Sequence, residues 1–206
     1  MKQFSIEGAI KFGWNITLKN TPFFIQILLI ILVLNIISFS ITKSLDESNQ
    51  LINTLIKVFF WIIETIVGMG FIKVCLEFIR GQKTKVADLY KYYNNSSLLL
   101  NYIAGSFLSG IIILLGFLAL IIPGIYISIR LQFVTYLIID KGLGPIEAIK
   151  ESWRMTKNQV WNLFLFGIIL GLINLAGILA LIFGLFWSIP TTALATAFVY
   201  KKLANS

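Results

Sequence analysis

The sequence predicts an all-α, polytopic transmembrane helix bundle. Composition indicates this class: 58% of the 206 residues are hydrophobic, only 13% are charged, and the mean hydropathy is +0.88. Soluble domains carry about 25% charged residues. Apolar runs also recur along the chain, and a membrane-spanning helix needs about 20 predominantly apolar residues. We therefore expect residues 1–206 to form a single integral membrane domain.

Six spans are predicted, arranged as hairpins. The apolar 98–139 stretch is roughly twice the length of one span, so it must fold back. Pro123-Gly124 is the break that we predict, because proline interrupts a helix and glycine permits a turn. The fourth span is short, and both a full and a re-entrant span stay open. The predicted spans are 22–41, 55–79, 98–122, 124–139, 160–180 and 184–202.

The basic residues predict the orientation of the chain. Most of the 17 lysine and arginine residues fall in alternate connections: before residue 22, in the 80–91 loop, in the 140–158 loop and at Lys201 and Lys202. Cytoplasmic loops of membrane proteins carry an excess of these residues. We therefore expect both termini to lie in the cytoplasm of a prokaryotic cell membrane.

An internal repeat is visible when the chain is shifted by 139 residues. The shift pairs identical residues: Ala9-Ile10-Lys11 with Ala148-Ile149-Lys150, Trp14 with Trp153, Thr17 with Thr156, Ile30 with Ile169, and Asn35 with Asn174. The repeating unit is an amphipathic interfacial helix followed by two spans, and 86–139 is a candidate third copy. Parallel repeats build transport folds as well as simple bundles.

The loop after the fourth span predicts an amphipathic helix. Pro145 suits its first turn, and Ile146, Ile149 and Trp153 then fall on one face. We expect this helix to lie in the headgroup zone with Trp153 as its anchor. It serves either as a surface for anionic headgroups or a partner protein, or as a connector that seats the bundle. The headgroup-facing candidates are Lys141, Lys150, Trp153, Arg154 and Lys157.

Two ionisable residues fall inside predicted spans, Glu64 in the second and Arg130 in the fourth. A charge at the bilayer centre costs at least about 2.5–3.5 kcal/mol, so such residues face the bundle or water. We expect Glu64 and Arg130 to pair, either along a pathway for ions or substrate or as a structural contact. Asn35 and Asn174 are expected to form hydrogen bonds between helices.

Several functional classes are disfavoured by composition. The chain has no histidine and a single cysteine, Cys75, so we predict no catalytic residues, no metal site and no cofactor. The net charge of +8 does not predict nucleic-acid binding, since the basic residues flank apolar runs. The predicted partners are the lipid bilayer, including anionic headgroups, and an unidentified protein.

One set of motifs carries a family resemblance. The residues are Pro123-Gly124-Ile125-Tyr126, Arg130, Asp140, Glu147-Ala148-Ile149-Lys150, Ser152-Trp153 and Thr156-Lys157. Over about residues 98–202 the chain resembles the membrane-domain family of glycerophosphoryl diester phosphodiesterases and related small, uncharacterised prokaryotic membrane proteins. The resemblance implies a membrane bundle. In some members this domain accompanies a separate catalytic domain whose chemistry depends on histidines, and this chain has none.

These observations favour a non-enzymatic, multi-pass membrane component with a lipid-associated, assembly or partner-supporting role. The alternative is a small transporter or channel that uses Glu64 and Arg130. A lipid-modifying enzyme is the least favoured, because the chain lacks the commonest general acid and base.

Overall fold

The fold is helical. The computed structural model describes residues 4–44, 50–82, 84–90, 96–181 and 183–205, and contains no β-strand within them. In chain order these residues form α1 (Ile6–Lys19), α2 (Thr21–Ser44), α3 (Gln50–Ile79), a 3-10 helix (Val86–Tyr90), α4 (Ser96–Ala119), α5 (Ile121–Leu131), α6 (Val134–Lys141), α7 (Pro145–Thr156), α8 (Val160–Leu179) and α9 (Leu185–Ala204). The predicted all-α class is confirmed.

Among the described residues, five helical segments are long and apolar enough to cross a membrane. They are Thr21–Lys43, Gln50–Ile79, Ser96–Ala119, Ile121–Lys141 and Val160–Leu179. Each overlaps one of the first five predicted spans. The sixth predicted span, 184–202, corresponds to α9, which is helical but outside this set. Serine, threonine and lysine residues make α9 more polar than these five segments.

The turn between α4 and α5 corrects the predicted helix boundary. It lies at Leu120, which is extended (φ −170°, ψ 159°), and not at Pro123-Gly124. Pro123 lies in the first turn of α5, where its missing N–H costs no hydrogen bond. Gly124 lets α5 pack closely against Phe117 of α4. The fourth predicted span is also not one helix, since Gln132 and Phe133 separate α5 from α6.

The predicted repeat extends to the helices and to their buried faces. Helices α1 and α7 begin 139 residues apart, and so do α2 and α8. The buried residues of α1 are Ala9, Gly13 and Thr17, and their counterparts in α7, Ala148, Ser152 and Thr156, are buried as well. The first unit, α1–α3, therefore corresponds to the third unit, α7–α9, and the 3-10 helix with α4–α6 forms the second unit between them in the chain.

The three units close into a ring. The 3-10 helix packs on α3, α7 packs on α6, and α1 packs on α9, so each short helix covers the last helix of the preceding unit. At two of these contacts a glycine allows the backbones to touch: Gly70 lies against Leu89, and Gly13 against Thr191. A Cβ at either glycine would collide with a backbone oxygen, so these close approaches require glycine.

Helix α9 is central to the bundle. It buries half of its residues and packs against α1, α3 and α8, which its alanine and threonine side chains allow. We call the end at which α3, α6 and α9 terminate the basic end, because Arg80, Lys141 and Lys201 lie there. At the opposite end, large apolar side chains such as Phe39 and Leu51 are exposed. Packing is therefore tighter towards the basic end.

Candidate functional site

Asp140 joins α3, α6 and α9 at the basic end. Its side chain, at the end of α6, is only 4% exposed. It accepts hydrogen bonds from Arg80, just after α3, and from the Tyr200 hydroxyl at 3.0 Å, and the Lys201 ammonium lies 3.9 Å away. This arrangement, which we call the Asp140 cluster, fixes the ends of α3, α6 and α9. The sequence did not predict this cluster: Arg80 and Lys201 indicate only the orientation of the chain, and Asp140 belongs only to the residues that carry the family resemblance.

Arg130 does not pair with Glu64, contrary to the sequence-based expectation. Its side chain, at the end of α5, is 1% exposed. The guanidinium carbon lies 4.4 Å from the centre of the Trp153 ring and 5.7 Å from that of Tyr126. Its Nε and Nη1 atoms have no hydrogen-bond partner among the described residues. Arg130 is therefore held by aromatic faces instead of a carboxylate.

The backbone explains why Arg130 lies beside α7. In an uninterrupted helix the Arg130 carbonyl would accept from the amide four residues later, but the break at Gln132 and Phe133 intervenes. The carbonyl instead accepts a hydrogen bond from the Ser152 hydroxyl at 2.8 Å, and the Thr156 hydroxyl, which donates to the Ser152 carbonyl at 2.7 Å, lies 3.3 Å from it. Helix α7 thus satisfies a buried carbonyl, which would otherwise be costly.

The face of α7 that packs on the bundle is distinct from the apolar face that the sequence pattern assigns to the headgroup zone. Ile146 is 62% exposed and Trp153 is 39% exposed. The buried residues are Ala148, Ser152, Met155 and Thr156. Small and hydroxyl-bearing side chains face the bundle because they allow a close approach and supply hydrogen-bond donors at the break. Trp153 covers Arg130 at the edge of this contact.

The other headgroup-facing candidates divide into two groups. Lys150 and Lys157 are exposed. Arg154 donates two hydrogen bonds to Glu151, at 2.7 and 2.8 Å, and Lys141 lies 3.6 Å from the same carboxylate. The hydrogen bond from Arg154 holds the pKa of Glu151 below its ordinary value, and the positive charges of Arg154 and Lys141 act in the same direction. Glu151 therefore offsets part of the positive charge of α7.

Glu64 lies half-way along α3 and lines a large cleft. This cleft, between α3 and α4, has a volume of about 710 Å³. It is lined by Trp61, Glu64, Thr65, Gly68, Tyr102, Ile103, Ser106, Phe107, Gly110, Ile111 and Leu114. A Cβ added to Gly68 or Gly110 would meet no atom within 4 Å. Among described residues, Glu64 has no ion-pair partner within 4 Å.

Two smaller clefts meet at Asn35 of α2. One, of about 140 Å³, separates α2 from α3 and reaches Glu64 from its other side. The other, of about 370 Å³, lies between α2 and α9. The Asn35 amide donates within its own helix to Ile31 at 2.8 Å, whereas its repeat counterpart Asn174 donates to Thr192 of α9 at 3.4 Å. The expected bond between helices forms in the second copy only.

Comparison with protein families identifies the family of the chain. A family model described as Domain of unknown function (DUF7847) matches residues 51–204. The chain belongs to the DUF7847 family. The matched range runs from the start of α3 to the end of α9, so the DUF7847 domain includes Glu64, Arg130 and the Asp140 cluster. No curated protein and no solved structure matches the chain.

Proposed function

We propose that this protein is a non-enzymatic, multi-pass membrane component that holds lipid-like molecules between its helices. One observation carries the proposal: an apolar cleft of about 710 Å³ opens sideways between α3 and α4. Binding pockets for small molecules are mostly apolar, occupy about 300–1,000 Å³ and contain a few polar groups. The cleft has this character, with Glu64, Thr65 and Ser106 as polar groups on an aromatic and aliphatic wall.

The unequal packing of the two ends supports this role. Towards the basic end, the Asp140 cluster and the three short helices hold the spans together. The clefts beside Glu64 and Asn35 lie where α2, α3 and α4 separate. In a bilayer, acyl chains fill apolar space that protein side chains leave open, so these clefts are accessible to lipid.

Location and orientation form part of the proposal. With α9 as a sixth span, the basic end faces the cytoplasm of a prokaryotic cell membrane, and both termini lie on that side. The positive charge at this end supports this orientation. The exposed Lys150 and Lys157 suit anionic headgroups. The resemblance to the membrane domains of glycerophosphoryl diester phosphodiesterases agrees with a lipid-associated, partner-supporting role.

The absence of histidine from the sequence favours a non-enzymatic role. The separate surroundings of Glu64 and Arg130 favour lipid binding over a transport pathway that uses both residues. Arg130 lies between α5 and α7, and Glu64 faces the cleft between α3 and α4.

A cleft-filling substitution tests the proposal. Gly110→Phe places a ring in the cleft, where the backbone leaves open space. Gly171→Phe is the matched control, since Gly171 of α8 is exposed, equally unobstructed and outside the cleft lining. Both variants should retain the helical content of the wild type. Mass spectrometry of purified protein should find fewer bound lipids in Gly110→Phe than in the control. Equal lipid content in all three proteins would contradict the proposal.

A further inference from the structure

The residues that line the α3–α4 cleft point to one chemical class of ligand. We propose that the cleft binds a lipophilic amine, with its ammonium group against the Glu64 carboxylate and its apolar chain along α4. The inference rests on the proposed lipid-binding function and adds the identity of the headgroup. It takes no support from Arg130, which lies elsewhere in the bundle.

The charge of the cleft selects a cation. Glu64 is the one carboxyl group among its described lining residues, and neither lysine nor arginine is among them. Glu64 also lacks an ion-pair partner among the described residues. A carboxylate that faces hydrocarbon is stabilised by a positive charge brought next to it. An anionic lipid would be repelled at the same position, and a neutral lipid would leave the charge unmatched.

The aromatic side chains of the cleft favour the same class. Trp61 lies one helical turn before Glu64 on α3, and Tyr102 and Phe107 line the facing wall on α4. The faces of aromatic rings attract cations, above all where water is excluded. A carboxylate that shares a cleft with three aromatic rings is therefore suited to an ammonium group.

The shape of the cleft requires an apolar chain on that ammonium group. Ile103, Ile111 and Leu114 extend the lining along α4, and its surface is predominantly apolar. Gly68 and Gly110 leave space for a chain between the two helices. A small soluble amine would fill only the region beside Glu64 and would lose the contacts along α4. The ligand is therefore an amphiphile and not a free cation.

Quenching of Trp61 fluorescence tests the proposal directly. The probes are brominated octadecylamine, octadecanol and octadecanoate, added to the full chain in a nonionic maltoside detergent. Trp61→Phe identifies the part of the signal that arises in the cleft. The amine should bind roughly tenfold more tightly than the alcohol, and the octadecanoate most weakly. Glu64→Gln should remove the preference for the amine. Glu77→Gln, on the same helix but outside the cleft lining, should keep it.

The outcomes separate the two proposals. An amine that binds no better than the alcohol, or a preference that survives Glu64→Gln in a variant with wild-type helical content, overturns the amine assignment and leaves lipid binding in place. Absence of Trp61-dependent quenching by all three probes contradicts the lipid-binding function itself. Methylammonium chloride should not displace the brominated amine. Displacement would indicate a site for small cations and would overturn the assignment.

Discussion

At the scale of the residue, Arg130 shows how a buried cation is held in this fold. Removing such a charge from water costs several kcal/mol. A desolvated cation on an aromatic face gains about 2 kcal/mol or more. The rings of Trp153 and Tyr126 therefore offset much of this cost without a carboxylate. The Trp153 ring contributes more, since it lies closer to the guanidinium.

Trp153→Leu should destabilise the protein by about 1–2 kcal/mol, because Arg130 loses its nearer ring. Trp14→Leu is the matched control, since Trp14 occupies the same repeat position and is similarly exposed. Thermal unfolding in detergent measures both variants. A decrease in melting temperature as large for Trp14→Leu as for Trp153→Leu would show that the contact with Arg130 is not the cause.

Glu151 should make the stability of the protein depend slightly on pH. Its folded-state pKa is depressed below the ordinary value of 4.5, so its contribution to stability is present above that value and is lost as the pH falls through the folded-state pKa. The effect is small because Arg154 is exposed. Melting temperatures of the wild type and Glu151→Gln, measured from neutral to acidic pH, should approach each other as the pH falls below 4.5. A constant difference across this range would contradict the assignment.

At the scale of the element, α7 is a structural helix that stabilises the break between α5 and α6. The Ser152 hydroxyl takes the place of the missing helical hydrogen bond at the Arg130 carbonyl, with the Thr156 hydroxyl beside it. This contact favours the connector interpretation of α7 for its buried face, while Lys150 and Lys157 remain available on the exposed face.

Removing both hydroxyls should separate this role from simple packing. Ser152→Ala combined with Thr156→Val leaves the Arg130 carbonyl without its hydroxyl partners and should cost about 1–3 kcal/mol of unfolding free energy. The control is Ser128→Ala, because the Ser128 hydroxyl donates within its own helix to Ile125. If the double variant is as stable as this control, the hydroxyl contacts do not support the break.

The sequence predicts elements better than it predicts contacts. Apolar runs locate α2, α3, α4 and α8, and the 139-residue repeat matches α1 to α7. The position of the α4–α5 turn was predicted wrongly, because proline is tolerated both at a helix break and in the first turn of a helix. The contact between Arg130 and Trp153 could not be predicted, because the charge of an arginine suggests a carboxylate partner. The sequence also does not show which helices pack together. The Asp140 cluster could not be predicted, because it joins the ends of three helices that are far apart in the sequence.

At the scale of the whole molecule, ring closure by α1, the 3-10 helix and α7 joins the three units. The Asp140 cluster adds polar contacts between the ends of α3, α6 and α9. Because these contacts lie at the basic end, the opposite ends of α2, α3 and α4 are less constrained. The lateral clefts are a consequence of that asymmetry.

Thiol labelling tests the proposed orientation. A cysteine at Gln50 should react with an impermeant reagent in intact cells, whereas cysteines at Gln82 and Asn158 should react only after the cells are opened. The positive charge at the basic end is the physical reason. The natural Cys75 is buried and can be replaced by serine in the background. Labelling of the Gln82 position in intact cells would reverse the orientation.

A crystal structure of the protein grown in a lipid mesophase tests the central claim most directly. We expect a space between α3 and α4 of about 710 Å³, with elongated lipid-like density that reaches Glu64 between Trp61 and Tyr102. Helices α3 and α4 in direct contact along this length, with the Glu64 side chain packed against protein atoms and no density between them, would contradict it.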